Sequence, residues 1–217
     1  MAISFPLALS SFWDESFMNV RTGSISLTDV RKSNMTAGGV VLDASRGWRM
    51  WRGSAEITTQ GNVNSMAVDA LLSLLTRGGA SFLVYDKRAP DLVNGAPSGC
   101  TLTVVASDMV TLTLGGFPAS FQLVPGDALS FTYGSSPTKY AYHRVVNYPS
   151  PASGGGVISG VQVEPPIFPG YSLPASLTTV KASFKAKIVP GSLQPSVGKP
   201  GQASSGARFD FAQTLGV

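Results

Sequence analysis

Thr178-Thr179-Val180-Lys181-Ala182-Ser183-Phe184-Lys185-Ala186-Lys187-Ile188-Val189 carries the cleanest alternation in the chain. Val180, Ala182, Phe184, Ala186 and Ile188 fall on one side of an extended segment, with Lys181, Ser183, Lys185 and Lys187 on the other. A period of two marks a β-strand with one buried and one solvated face. The segment therefore reads as a strand whose three lysines face one way, where they stay hydrated or guard a sheet edge. Downstream, the Pro/Gly/Ser-rich stretch 190–206 reads as a long loop. Arg208 to Leu215 then reads as a last strand with Phe209, Phe211 and Gln213 on one face.

Upstream, Gly23 to Val30, Thr36 to Leu42 and Trp48 to Thr59 continue the pattern of short strands. One helix interrupts it. Asn62 or Asn64 can cap its start, Met66, Ala70, Leu71, Leu74 and Leu75 recur at three- and four-residue spacing, and Gly78-Gly79 ends it. After a buried-looking strand, Ser81 to Tyr85, turn formers from Asp91 to Gly99 mark a boundary. Six short strands follow: Cys100 to Ala106, Met109 to Leu114, Phe121 to Val124, Ala128 to Tyr133, Lys139 to Asn147 and Val157 to Val163. That spacing predicts a small barrel or sandwich over 95–175.

Composition narrows the function. Of 217 residues, 43% are hydrophobic but only 13% are charged, about half the usual share. With 24 glycines and 15 prolines the chain is too broken for a long helical bundle and too apolar for disorder. A surface so poor in charge is a poor one for a freely diffusing monomer, so much of it is expected to be covered by other subunits. The formal net charge is +4. All of it sits in 177–217, where Lys181, Lys185, Lys187, Lys199 and Arg208 face one acid, Asp210.

Catalytic signatures are missing. The single cysteine, Cys100, excludes an intrachain disulfide framework and a cysteine-based zinc site. The single histidine, His143, lies among aromatic and aliphatic residues of a strand pattern, with no nucleophile elbow elsewhere to serve. Gly191 to Pro200 lacks the spacing and the hydroxyl of a phosphate loop. No metal-ligand cluster and no cofactor motif stands out, and the expectation is a non-enzyme without a cofactor. No run approaches the roughly 18 apolar residues of a membrane span, and Met1 to Phe12 lacks a basic leader region, so no membrane insertion is expected. Trp48-Arg49-Met50-Trp51-Arg52 offers the side chains enriched where interfaces bury energy. Trp48, Arg49, Trp51 and Arg52, with Lys181, Lys185 and Lys187, are the candidate subunit-interface residues.

The opening Phe5-Pro6-Leu7, the run Phe82 to Pro90, Phe131 to Pro137 with Tyr140 to Val145, and the ending Ile188 to Ser192 with Arg208 to Thr214 resemble phage tail-tip proteins. The similarity is to distal tail proteins of phages and prophages of alphaproteobacteria, and it runs along the whole chain. It implies a tail-tube-like β-sandwich or barrel with one flanking helix, built from 1–90 and 177–217, and an inserted small β-barrel module at 95–175. It also implies a homo-oligomeric ring, a hexamer, at the tail tip of the virion. That ring would join the tail tube protein to the baseplate hub and pass DNA through its channel as cargo. Two alternatives stand beside it: the major tail tube subunit, and a carbohydrate-binding or host-adhesion module using Tyr133, Tyr140, Tyr142 and Tyr148.

Overall fold

The computed structural model of the protein describes residues 4–14, 16, 18–59, 62–196 and 206–216. The chain first lays down β1 (Met18–Thr22), β2 (Ser26–Leu27), β3 (Arg31–Met35), β4 (Val41–Ser45) and β5 (Trp51–Thr59). Helix α1 (Asn62–Leu75) and β6 (Phe82–Val84) follow. Next come β7 (Thr101–Val105), β8 (Thr111–Gly115), β9 (Ala128–Tyr133), β10 (Lys139–Val145), β11 (Ile158–Glu164) and β12 (Ala175–Ser176). The described chain closes with β13 (Phe184–Ile188) and β14 (Ala207–Gln213). The fold is mainly β, with one α-helix among the described residues.

The strands form two six-stranded sheets and a separate hairpin. The first sheet runs β1-β5-β14-β13-β6, with β2 also on β5. Its centre is β14 against β5, where Phe211 lies opposite Gly53. A side chain at Gly53 would meet the Phe211 ring at 2.6 Å, so glycine there lets the aromatic fill the core. Phe12, Trp13, Phe82, Phe184, Phe209 and Phe211 are all buried within this layer. Most ring pairs tilt or meet edge to face, as with Phe12 on Phe82 at 5.0 Å, while Trp13 stacks on Phe82 at 6.0 Å, arrangements their quadrupoles favour.

The second sheet runs β12-β7-β8-β11-β10-β9. Its two edges meet: Thr178, just past β12, exchanges backbone hydrogen bonds with Ser130 of β9 at 2.7 and 3.2 Å. The sheet thus curls into a near-barrel around its own core, which includes Leu102, Leu114, Leu123, Val161 and Val163. Closure removes the free edges that would otherwise invite unwanted pairing. Gly116, at the end of β8, has φ +80°, and a Cβ there would sit 2.5 Å from the Gly99 carbonyl oxygen. Gly116→Ala should lower stability by about 2–3 kcal/mol, the sum of a left-handed penalty and a backbone clash. A urea midpoint within experimental error of wild type would contradict this geometry.

The chain crosses from one sheet to the other and returns at one place. Asp91 bridges Val180, and the Lys181 amide donates to the Pro90 carbonyl oxygen at 2.5 Å.

Several expectations change. The run 178–189 is not one strand: Lys181 has φ +48°, and only Phe184–Ile188 pairs in the first sheet. Lys181 turns aside because Asp14 draws its Nζ to 2.7 Å. Lys185 is buried, its Nζ donating to the Gly216 carbonyl oxygen, so the three lysines do not form one solvated row. Phe121 to Val124 is not a strand. The Asp127 carboxylate accepts from the Val124 and Val93 amides, which leaves that stretch as irregular chain leading into the Pro125-Gly126 turn, and the short β12 takes the sixth place in the sheet. Of Thr36 to Leu42 only Val41 and Leu42 are strand, opening β4; Thr36 to Val40 holds the turn between β3 and β4. Arg208 to Leu215 matches β14, with Phe209, Phe211 and Gln213 buried as expected. Of the loop 190–206, residues 197–205, with Lys199, lie outside the described residues.

Candidate assembly surface

The seven predicted interface residues do not share one surface. Trp48 is 53% exposed and lies edge-on, at 5.1 Å, to Phe168 of the second sheet's core. Arg49 donates to the Thr28 carbonyl oxygen at 3.3 Å and pairs with the Glu164 carboxylate at the end of β11. Trp51 is buried in the first core. Its Nε1 donates to the Tyr142 carbonyl oxygen of β10 at 3.0 Å, and the Arg144 guanidinium lies 4.7 Å from its ring centre. Arg52 points out beside Ser24, Ser26, Ser54 and Asp210 in a shallow groove of the first sheet. Lys187 is half-buried on β13. The Trp48–Arg49–Trp51 group thus binds the two sheets of a single chain to each other.

Asp86 completes that junction from the end of β6. Its carboxylate accepts from Arg88 Nε at 2.9 Å and from Arg144 at 2.8 Å. Burial alone would raise its pKa, but the Arg88 hydrogen bonds and the two guanidinium charges outweigh it and hold the carboxyl below its usual range. On the far side of the same junction, Asp14 holds Lys181 and accepts from the Tyr85 hydroxyl at 2.7 Å.

His143 is sealed inside the second sheet, stacked on Phe131 at 5.9 Å. Its Nδ1 donates to the Pro165 carbonyl oxygen at 2.7 Å, and its Nε2 has no partner. Burial, opposed only in part by that hydrogen bond, lowers its pKa to about 4. Among the described residues no group of three His, Cys, Asp or Glu side chains could hold a metal ion. The tyrosine platform does not form: Tyr133 and Tyr142 are buried, while Tyr140 is half-buried and Tyr148 is exposed.

The unsupported surfaces lie elsewhere. All ten residues of β3 and β4 are exposed. Their hairpin is held by its own ladder, by Ser33 on Asp43, and by Arg31, which pairs with Asp29 at 3.1 Å and Asp43 at 3.5 Å. Around its turn Met35, Val40, Val41 and Leu42 stand 57–74% exposed. An isolated two-stranded hairpin is marginal in water, and each strand leaves one edge of backbone groups unpaired.

Helix α1 presents a second such surface. It buries Val68, Leu72 and Leu75. Of the stripe expected from the sequence, Leu75 is buried and Leu71 and Leu74 are half-buried, but its first two members are bare: Met66 is 72% exposed and Ala70 is exposed too. Its sequence is apolar on two sides, so spacing alone could not tell which side the sheet would cover. The hairpin left a weaker signal, one Gly38-Gly39 pair between a methionine and three aliphatic residues. No protein-family model and no curated protein matches this chain. No helix among the described residues is long and apolar enough to cross a membrane.

Proposed function

We propose that the protein is a structural subunit that joins further copies of itself in a ring at the distal end of a phage tail. Six copies would close the ring, link the tail tube protein to the baseplate hub, and leave a channel through which DNA passes. The observation that carries this reading is the β3–β4 hairpin, ten exposed residues with an apolar tip. Such an arm costs conformational entropy that its own few contacts do not offset. A neighbouring copy would cover it.

Three further features support the reading. The low charge fits a surface largely shared with other subunits. The first sheet brings β1 and β14 from distant parts of the chain into one layer, as a tube-like domain requires. The outward face of that sheet is polar, bearing Arg21, Arg52, Glu56, Arg208 and Asp210, and suits a water-filled channel. In a ring of identical copies each subunit offers two different complementary patches, so the contacts are heterologous and close on themselves.

The test is the mass of the purified protein in solution. Wild type should sediment as a multiple of the 22.6 kDa subunit. Replacing Met35, Val41 and Leu42 together with serine should reduce it to one subunit while leaving its thermal unfolding within about 1 kcal/mol of wild type, because all three are exposed. A wild-type protein that stays a single subunit at high concentration, alone and with tail partners, would overturn the proposal.

A further inference from the structure

We infer that the outward stripe of α1 is the seat for the β3–β4 hairpin tip of a neighbouring copy, so that each subunit gives its tip to one neighbour and its helix to the other. The inference rests on the ring reading above and names the two patches that meet in it.

The stripe is Val63, Met66, Ala67 and Ala70, spaced three, four and seven residues from its start, and all four are exposed. It lies on the opposite side of α1 from Val68, Leu72 and Leu75, which face the core. A helix apolar on both sides belongs in an interior. Here one side is bare, with Val63 at 80% exposure and Met66 at 72%. The tip is a second bare apolar feature among the described residues, and every residue of its two strands is exposed in its own chain.

Size and charge favour pairing the two. Five-residue strands reach about 17 Å, and the helix rises about 10 Å from Val63 to Ala70, so the hairpin can cover the whole stripe. Asp69 is the only charged residue of α1 and sits beside the stripe. It accepts from the Ser196 hydroxyl at 3.2 Å and joins no ion pair among the described residues. Lys32 on β3 also joins none among them, and on the hairpin it shares a face with Leu42. A tip laid on the stripe can bring this cation to that anion. A lipid surface is the poorer occupant, since interfacial helices flank their apolar face with lysine and arginine, whereas α1 carries an acid. Because tip and stripe differ, the contact is heterologous and repeats from copy to copy.

Two variants test the pairing, Met66→Asp and Leu42→Asp, both at exposed positions. Each alone should sediment as a single subunit, since a buried, unpaired carboxylate opposes association. Mixed, they should form a species of twice the 22.6 kDa subunit mass and nothing larger, because the mixture restores one intact tip and one intact stripe. Asp69→Lys should weaken assembly and Lys32→Asp added to it should restore it, a readout that does not depend on the aspartate variants folding. If wild type assembles but the mixture stays single, or Met66→Asp assembles like wild type, the pairing is wrong and the ring reading stands. If wild type itself is a single subunit, both fall.

Discussion

Trp51→Ala should lower the unfolding free energy by about 4 kcal/mol, the range found when a large buried aromatic is truncated and its cavity remains. Trp51 is 4% exposed and touches both sheets. It meets Tyr142 edge to face at 5.3 Å, lies under the Arg144 guanidinium, and donates to the Tyr142 carbonyl oxygen. Alanine removes the ring from the first core and orphans an acceptor at the junction. It also leaves Arg144 with Asp86 at 2.8 Å and the Tyr142 hydroxyl at 3.5 Å as its partners. Urea denaturation of Trp51→Ala beside Trp48→Ala separates core from surface. Trp48 is half exposed and, among the described residues, meets one aromatic ring, Phe168, so its loss should cost about 1 kcal/mol. Equal losses for the two tryptophans would show that Trp51 does not join the sheets as described.

Acid should destabilise the second sheet before it affects the carboxylates. His143 is neutral when folded, with a pKa of about 4 set by burial against a reference of 6.5. A folded pKa below the unfolded one means the stabilising contribution is whole above pH 6.5 and is lost as pH falls through that value towards 4. The difference between 6.5 and about 4 is worth about 3 kcal/mol. The groups facing the ring from β9 and from the 165 segment are Leu129, Phe131 and the Pro165 carbonyl oxygen, none of which compensates an imidazolium charge. Asp14, Asp86, Asp29 and Asp108 have lowered pKa values, so their contributions are lost only below their common reference of 3.8. Denaturation midpoints measured from pH 7 to 4.5 should therefore fall for wild type and stay nearly flat for His143→Phe. A flat wild-type profile would mean that the ring is reached by water or by an unrecognised partner.

What the sequence made legible follows from which forces are local. The β14 pattern was readable because alternation along 208–215 coincides with a sheet that covers one face, and Phe209 and Phe211 have no other way to be buried. The same alternation misled at 178–182. Residue type does not encode φ, and Lys181 is turned by Asp14 and by the Pro90 carbonyl oxygen, both far away in sequence. Phe121 to Val124 failed for a similar reason, since one carboxylate, Asp127, redirects its backbone. The α1 stripe holds at Leu71, Leu74 and Leu75 but not at Met66 and Ala70, because an apolar pattern on two sides has no unique inward phase. In the interface group, tryptophans three apart gave the right contrast, one outside and one inside. What no spacing could reveal was that Trp51 and Arg49 would be used within one chain, because the residues they meet lie 91 and 115 positions later.

The neck where Pro90 and Asp91 meet Val180 and Lys181 has a consequence for how such a chain can change over generations. The polypeptide departs and comes back through a single doorway, so the near-barrel between those points is a cassette. It can be shortened, enlarged or exchanged for another without re-threading the layer that holds β5 and β14. The contacts that Trp48, Arg49, Trp51 and Asp86 make across the junction would need new partners.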